Sequence, residues 1–415
     1  MICVATEAFV PLARTEARAW GWDVPVAAIR HPLGGVPAER LDSRAAQVVD
    51  RFAALAGGGP RGEEGDASGS GGEPLADAPA DPWALYELVQ ARGWGDGLPV
   101  LPPTPDRVAR MVAASGARPG DEVGPVPPER RTATVEGVAA NAVMAGLPEA
   151  AFPVVLAAIR AALQDRFNLL AIQATTHPCG VAVIVSGPAA KELGMNAGAS
   201  AFGHGNRVNA TIGRAVRLAL QNLGRAWPGD VDKSTQGSPG KYSYCVAENV
   251  DESPWEPHHT DRGFRASDST VTVLAAEGPH NMHDPASTSG AAFLHYLVGS
   301  VTHCGHNNLY HRGDTFLVLS PEHSAMLARD GWTRERVREH VFERARVPAT
   351  VMGREAFDHF LSRWPGRPRL DFETARLPLA PGPEDIHIAV AGGPGKHSSW
   401  LPTFGQTYSA IEKLA

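Results

Sequence analysis

The chain has 415 residues, of which 43% are hydrophobic and 20% are charged, with a formal net charge of −7 and a pI of about 6.1. This length exceeds what one hydrophobic core usually supports, so we expect two or more domains, and the acidic balance argues against a basic nucleic-acid groove. Since no apolar stretch approaches the roughly 20 residues that span a bilayer, we expect a soluble cytoplasmic protein without nucleic-acid or membrane partners.

The first 56 residues predict a short βαβα unit. An apolar strand leads into a helix, and a second strand and turn lead into a second helix; the segments are "MICVATEAF", "VPLARTEARAWGW", "VPVAAIRHPLGG" and "ERLDSRAAQVVDRFAALA". Two strands are too few for a stable core, so we expect this unit to pack on another domain or subunit. Residues 57–81 contain almost no large apolar side chains and predict a flexible linker.

Residues 82–415 predict a main domain of α/β or α+β class with a mixed sheet. Helices are expected at "PTPDRVARMVAASG", "TATVEGVAANAVMAG", "EAAFPVVLAAIRAALQDRF" and "GNRVNATIGRAVRLALQNLG". Strands are expected at "NLLAIQATT", "GVAVIVSG", "YSYCVAEN", "STVTVLAAEG", "DTFLVLS" and "DIHIAVAGG". No internal repeat is evident in the sequence, and a break near 225–240 would divide this domain into two subdomains.

The stretch "VTHCGHNNLYHRGD" at 301–314 is the first candidate site. It is a polar connector between an apolar helix and an apolar strand, so we expect it to open at the end of a sheet. A thiol beside imidazoles is the usual form of an activated cysteine, which predicts Cys304 as nucleophile with His303 or His306 as base. Asn307 and Arg312 would bind the carboxylate or carbonyl of a small anionic substrate.

A second thiol–imidazole pair occurs in "ATTHPCG" at 174–180, where His177 and Cys179 are two positions apart. In an extended segment the two side chains share one face, so both could contact one substrate atom. A buried structural cysteine is the alternative interpretation. The following motif "KYSYCVAEN" adds Lys241 as a substrate-binding candidate and Glu248 as a catalytic candidate.

Metal binding is the competing interpretation of the histidines. His280 and His283 form one H-x-x-H pair, His303 and His306 form another, and together they predict a divalent metal site. Such i, i+3 pairs place two ligands together reliably only on a helix, whereas these segments contain glycine, proline and asparagine. No nucleotide-binding motif is present, so the cofactor stays unknown apart from this candidate metal.

Two glycine-rich segments predict substrate binding. The first, "GMNAGASAFGHGNRVNATIGRAVR", leads into a helix whose N-terminus could bind an anion, and the second, "AVAGGPGKHSSW", follows a strand. Ordinary tight loops, with arginines paired to acidic neighbours, are the alternative. The candidate residues are His204, Gly205, Asn206, Arg207, Asn209, Lys396, His397 and Ser398.

Residues 3–56, chiefly "ATEAFVPLARTEARAWG" and "HPLGG", resemble the C-terminal half of the UGSC-type (seleno)protein family. The resemblance implies thiol or selenol chemistry, similar to that of the selenoprotein subunit of glycine reductase. The family signature, Sec/Cys-Gly-Ser-Cys, is absent here, and Cys3 is the one thiol in the matching region, so no redox pair carries over. We expect either a truncated start or a docking segment. Residues 82–415 look like an uncharacterised companion of such proteins.

Three classes of function remain open from the sequence. The first is a cysteine- and histidine-dependent enzyme that acts on a small anionic metabolite by reductive or lyase-type carbon–heteroatom chemistry. The second is a histidine-rich metal-dependent hydrolase or lyase, and the third is a non-catalytic partner of a thiol or selenol redox protein. Polar side chains on glycine-rich loops exceed what a scaffold needs, which favours an enzyme. A homo-oligomer and a thiol-protein partner are both compatible with the sequence.

Overall fold

The computed structural model describes residues 2–31, 36, 38–56, 76–311, 313–362 and 369–414. The N-terminal unit consists of β1 (Cys3–Thr6), α1 (Val10–Ala19), β2 (Val26–Ile29) and α2 (Ala38–Ala56), and the two strands pair in parallel. The predicted βαβα order is therefore confirmed. Most of the predicted linker lies outside the described residues; residues 76–80 are exposed and have no regular structure.

The N-terminal unit contacts the main domain through α1. The guanidinium of Arg130 lies 3.3 Å from the Glu16 carboxylate and 4.9 Å from the ring centroid of Trp20. Leu12 packs on a small buried cluster of Ala174, Ala226 and Val231. These contacts supply the apolar cover that a two-stranded sheet cannot provide for itself.

The main domain contains both helices and strands along its whole length. Its first part contains α3 (Pro82–Ala91), α4 (Pro105–Ala113), β3 (Glu122–Val126), β4 (Arg131–Thr134), α5 (Val135–Ala145), α6 (Phe152–Ala162), α7 (Leu169–Ala174), β5 (Gly180–Ser186), α8 (Pro188–Glu192), α9 (Arg207–Gly224), β6 (Cys245–Ala247) and β7 (Thr270–Ala276). Its second part contains β8 (His280–His283), α10 (Gly290–Val301), β9 (Thr315–Leu319), α11 (Pro321–Arg329), α12 (Arg334–Arg344), β10 (Arg346–Pro348), α13 (Arg354–Ser362), β11 (Arg376–Pro378), β12 (Ile386–Val390), β13 (His397–Leu401) and β14 (Ala410–Lys413). None of the helices in the described ranges combines the length and apolarity needed to cross a bilayer.

One predicted strand is a helix. The segment "NLLAIQATT" forms α7, whose Leu169 and Ile172 are both buried. The spacing of three places these side chains on one helix face, and leucine, alanine and glutamine are good helix formers. The short apolar run did not distinguish a buried strand from a buried helix.

Two four-stranded sheets pack face to face and helices cover both outer faces. One sheet has the order β14-β7-β5-β6 and the other has the order β12-β9-β13-β8. A buried cluster between them includes Ile184, Leu274, Phe316, Val318 and Leu401. Helices α5, α6 and α9 cover the first sheet, and α10, α11 and α12 cover the second. The mixed-sheet α/β class predicted from the sequence is therefore confirmed.

The two sheets repeat one topology. Strand β5 pairs in parallel with β6 and antiparallel with β7, and β9 pairs in the same way with β12 and β13. The fourth strand of each sheet comes from the other half, since β8 follows β7 in the chain but pairs with β13, and β14 follows β13 but pairs with β7. The main domain is thus built from two topologically equivalent halves that exchange their last strands.

The chain crosses from one half to the other after β7 and again after β13, and these two crossing segments lie side by side. Ala276 and Thr403 form an isolated antiparallel bridge there. The Glu277 N–H donates to the Pro402 carbonyl at 2.8 Å, and the Phe404 N–H donates to the Ala275 carbonyl at 2.9 Å. The halves therefore change over after residue 276. The segment 225–240, where a subdomain break was predicted, joins α9 to β6 inside the first half; the break itself stays a prediction.

Candidate functional site

The exchange crossing carries a carboxylate bonded to an imidazole. Glu277 follows β7 directly, and its Oε1 lies 2.9 Å from Nε2 of His177, which comes from the turn before β5. Nδ1 of His177 accepts a hydrogen bond from the Cys179 N–H at 3.3 Å, so Nε2 carries the proton that is donated to Glu277. The Phe404 ring packs on the same imidazole with a centroid separation of 5.2 Å.

Three further imidazoles surround one buried indole near this crossing. His280 begins β8, while His303 and His306 lie in the loop after α10; we call these three residues the imidazole triad. The His303 ring centroid lies 5.2 Å from that of His280 and 5.2 Å from that of His306. All three rings contact Trp400 of β13, with centroid separations of 4.7 Å for His306, 5.4 Å for His303 and 6.1 Å for His280.

The imidazole triad holds buried ring nitrogens without hydrogen-bond partners. His306 is only 2% exposed, and neither of its ring nitrogens has a well-aligned hydrogen-bond partner among the described residues, although the nearby His303 backbone acts to raise its pKa; Nε2 of His303 also has no partner there. Burial, with the neighbouring charge of His303, lowers the pKa of His306 to about 4 and also lowers the pKa of His280. These two imidazoles are therefore neutral at pH 7, the form that donates a lone pair to a metal.

The ring spacing of the imidazole triad suits a shared metal ion. Two imidazoles on one tetrahedral zinc ion, with Zn–N bonds of about 2.0 Å, hold their ring centroids about 5 Å apart. Both separations from His303 match that value. The donor nitrogens are not yet all within 4.8 Å of one another, so ligation also requires rotation of the rings.

A second cluster has more closely spaced donors. Within the described part of the chain, donor atoms of the buried residues Glu248, His258 and His259 lie within 4.8 Å of one another and could hold a metal ion. Their donors are already engaged, however. His258 bonds Glu248 at 2.8 Å and Thr272 at 3.0 Å, and His259 bonds Ser186 at 2.9 Å and the Arg265 carbonyl at 3.0 Å. A metal here would have to displace this network, which the imidazole triad does not require.

Burial opposes the ionisation of two of the thiols, those of Cys179 and Cys245. Burial raises the pKa of Cys179 to about 12 and raises the pKa of Cys245 as well. Sγ of Cys304 points to the Val351 carbonyl at 3.7 Å, while Nδ1 of His303 contacts the backbone carbonyl of Cys304 and not its thiol. Among the described residues, the hydrogen bonds of Cys304 and Cys179 therefore do not join either thiol to an imidazole, in contrast to the thiolate–imidazole pairs expected from the sequence.

His283 does not join the other three predicted metal ligands. It is three residues from His280 on one strand, and side chains of a strand alternate between faces. On the face of the strand opposite to His280, His283 is exposed and stacks on His397 with centroids 4.2 Å apart. His283 therefore lies apart from the other three predicted metal ligands.

Several predicted substrate-binding residues instead hold loops in place. Arg207 donates to the Gly146 carbonyl at 2.9 Å, and Asn206 caps α9 by accepting from the Asn209 N–H at 3.0 Å. Asn209 in turn exchanges hydrogen bonds of 2.9 and 2.8 Å with the backbone of Asn196. This segment of the chain therefore uses its polar groups internally, as the alternative interpretation expected.

The same holds for three candidates elsewhere. Lys241 pairs with Asp232 at 2.6 Å, Lys396 donates to the Ser287 carbonyl at 2.7 Å, and Ser398 accepts from the Ser320 N–H at 3.0 Å. The remaining candidates are placed as follows: His204 and Gly205 are exposed, Asn307 begins a short 3-10 helix, and Arg312 lies outside the described residues.

The two glycine-rich segments meet, although they are far apart in the sequence. The Gly392 N–H donates to the Ala197 carbonyl at 2.8 Å. The loops border a cleft of about 200 Å³ between the sheets, and His397 lies in its wall. This cleft is lined by neither His177 nor the imidazole triad.

Sequence reasoning placed Glu277 only beside the first H-x-x-H pair and gave Trp400 no role. Glu277 and Trp400 are single residues in strand-and-turn segments, and their importance follows only from the strand exchange. Comparisons with protein-family models, curated proteins and solved structures found no match. Fold and site therefore define the class: a two-sheet α/β protein with a histidine-rich candidate centre at the crossing of its halves. The resemblance of residues 3–56 to the UGSC-type family stays a prediction.

Proposed function

We propose that this protein is a metal-dependent enzyme, a hydrolase or lyase for a small anionic metabolite, whose imidazole triad holds a divalent transition metal. The observation that carries the proposal is the group of three imidazoles around Trp400, with buried ring nitrogens of His303 and His306 that have no partner in the described chain. An unbonded buried imidazole nitrogen is costly unless a ligand satisfies it.

The donor set supports a catalytic site more than a structural one. Three protein ligands with an open fourth position are typical of catalytic zinc, whereas structural sites are closed by four. His280 is exposed to solvent, so a substrate could reach the metal from that side. When bound, the metal would polarise a carbonyl or carboxylate oxygen of the substrate as a Lewis acid.

The His177–Glu277 pair would carry protons for this reaction. Glu277 orients the imidazole through the 2.9 Å hydrogen bond, as carboxylates do in other acid–base pairs. Both ring nitrogens of His177 are engaged, so in a hydrolysis the Glu277 carboxylate would accept a proton from the attacking water and return it to the leaving group. In an elimination it would take the proton from the substrate carbon instead. The charge of Glu277 reaches the imidazole triad, because it raises the pKa of His306 against the larger effect of burial.

The thiol-dependent enzyme and the non-catalytic partner stay predictions with less support. A thiol with a pKa of about 12, such as Cys179, is protonated at neutral pH and is a poor nucleophile. The docking role of residues 1–56 agrees with the α1 contacts to Arg130, but these contacts are internal to the chain.

Elemental analysis of the purified full chain tests the proposal. We expect about one zinc, manganese or iron per chain, as for a preformed high-affinity site. His303→Ala and His306→Gln should each lose most of this metal. His283→Ala, which changes the face of β8 opposite to His280, should retain it. Metal loss on His259→Gln and retention on His303→Ala would move the site to the Glu248 cluster. Absence of metal from the wild type after supplementation would refute it.

The enzyme class needs a second measurement. A mixture of hydroxy, keto and amino acids would be incubated with the metal-loaded protein and followed by NMR. We expect metal-dependent consumption of one component, and His177→Ala should abolish turnover without removing the metal. Metal binding without any turnover would contradict the enzyme assignment and would indicate a metal-binding protein.

A further inference from the structure

The cleft between the sheets lies at the carboxyl ends of the parallel strands β9 and β12. Its floor is Val318 of β9, and its walls are Ser200, Phe202, Gly392, His397 and Ser399. The carboxyl ends of parallel strands are where α/β proteins commonly bind small ligands. Because β9–β12 has an equivalent pair in the first half, the two positions can be compared directly.

The equivalent position in the first half is filled by the protein itself. Glu248 follows β6 and its N–H donates to the Val185 carbonyl at 2.9 Å, just as the Ala391 N–H donates to the Leu319 carbonyl at 3.0 Å after β12. Glu248 and Ala391 therefore occupy matching positions. In the first half, the short 3-10 helix His258–Arg262 covers this position, and the His258 N–H donates to Glu248 at 3.0 Å. In the second half, the same position is an open cleft.

We propose that this cleft is a binding site for a small planar carboxylic acid, separate from the imidazole triad. Phe202 supplies a flat apolar face and is held edge-on against Tyr244, with ring centroids 6.1 Å apart. Ser200 and Ser399 supply hydroxyl groups, and His397 supplies an imidazole whose Nδ1 lies 2.9 Å from Asn281. No carboxylate is among the described residues that line the cleft.

The volume limits the ligand to a small molecule. Pockets for drug-sized ligands measure about 300–1,000 Å³, whereas this cleft measures about 200 Å³. Alanine, glycine and serine at its border leave room for one ring with one substituent. His397, which lines the cleft, stacks on His283 with ring centroids 4.2 Å apart.

The inference does not rest on the proposed metal site. His397 and Trp400 are three residues apart on β13, so they are about 10 Å apart along the strand and project from opposite faces. A ligand between the sheets could not contact the imidazole triad through the sheet. Binding in the cleft can therefore be measured on the full chain whether or not metal is present.

The test compares benzoate, benzamide and benzylamine as probes by saturation-transfer NMR and calorimetry. We expect benzoate to bind with a dissociation constant of about 1 mM or lower, which a ligand of this size can reach. Benzamide should bind several-fold more weakly, and benzylamine should not bind. Ser399→Leu should fill the cleft and abolish benzoate binding, and His397→Ala should weaken it about tenfold.

The exposed residue Ser267, in the loop before β7, provides a matched control, and Ser267→Leu should bind benzoate like the wild type. Thermal denaturation of each variant checks that it is folded. Lack of benzoate binding to the wild type, equal binding of benzylamine, or unchanged binding to a folded Ser399→Leu variant would each overturn the proposal.

Discussion

Glu277 and Phe404 occupy equivalent positions in the two halves of the main domain, yet both contact the same imidazole, that of His177. Each residue is the first after a strand-exchange crossing, and each N–H donates to a backbone carbonyl of the opposite crossing. Glu277 bonds the imidazole at 2.9 Å, and Phe404 packs on the ring at 5.2 Å between centroids. Equivalent positions therefore perform different tasks, one polar and one apolar, at a single site.

Replacement of Glu277 tests the coupling between this pair and the imidazole triad. We expect Glu277→Gln to weaken zinc binding several-fold (~1 kcal/mol), because the charge of Glu277 acts on the triad through space and not through a hydrogen bond to a ligand. Titration calorimetry on the metal-free full chain measures the change. Glu384→Gln, an exposed carboxylate in the second half, is the control. Equal zinc affinity in Glu277→Gln and wild type would show that Glu277 does not act on the triad.

Two helical glycines predict opposite effects of one substitution. A Cβ on Gly213 of α9 would lie 2.5 Å from the Tyr244 backbone nitrogen, whereas a Cβ on Gly299 of α10 would meet nothing within 4 Å. Overpacking should destabilise Gly213→Ala by about 1–3 kcal/mol. Gly299→Ala should stabilise the protein by up to about 1 kcal/mol through helix propensity. Urea unfolding measures both values, and equal effects would contradict the close packing of α9 on β6.

Asp385 predicts a pH dependence of stability away from the candidate site. Burial, with the charges of Glu384 and Asp314, raises the pKa of Asp385 to about 6, whereas an unfolded aspartate has a pKa of about 3.9. The folded state therefore holds this proton more tightly, so its contribution is present below pH ~4 and is lost as the pH rises to ~6. Asp385→Asn should flatten the stability profile between these values in urea unfolding. A profile parallel to that of the wild type would contradict the assignment.

The strand exchange predicts that the halves depend on each other. A fragment of residues 76–288 lacks β14, and a fragment of residues 289–415 lacks β8, so each leaves a sheet with an unpaired edge strand. We expect each fragment alone to be unfolded or aggregated and the mixture to form a one-to-one complex. Size-exclusion chromatography and circular dichroism measure this. Two fragments that fold alone and do not associate would contradict the exchange.

The sequence predicted the fold class and the N-terminal unit because these depend on local periodicity. It did not predict the exchange, since β8 and β14 are four residues each and their partners lie more than 100 residues away. A trace of the repeat is present, because "HPCGVAVIVS" and "HRGDTFLVLS" both place histidine nine residues before the serine that follows or ends the strand. The rest of the two halves has diverged too far for the repeat to be evident.

The candidate site was predicted only in part, because the positions of its side chains also depend on contacts between segments that are distant in the sequence. The two H-x-x-H pairs pointed to His280, His303 and His306, but the three-residue spacing in β8 placed His283 on the opposite face. Burial raises the pKa of Cys179, and no pattern near this residue showed that its turn lies close to Lys241 and the buried Asp232. Arg207 and Asn209 form hydrogen bonds with backbone carbonyls of distant loops, and these bonds could not be predicted from the local sequence.

Anomalous X-ray diffraction at the zinc absorption edge, on crystals of the zinc-loaded full chain, is the most direct test of metal binding by the imidazole triad. We expect one strong anomalous peak within about 2.0–2.1 Å of nitrogens from His280, His303 and His306. His306→Gln crystals prepared in the same way should lack that peak. A peak between Glu248 and His259, or no ordered zinc in the wild type, would contradict the account.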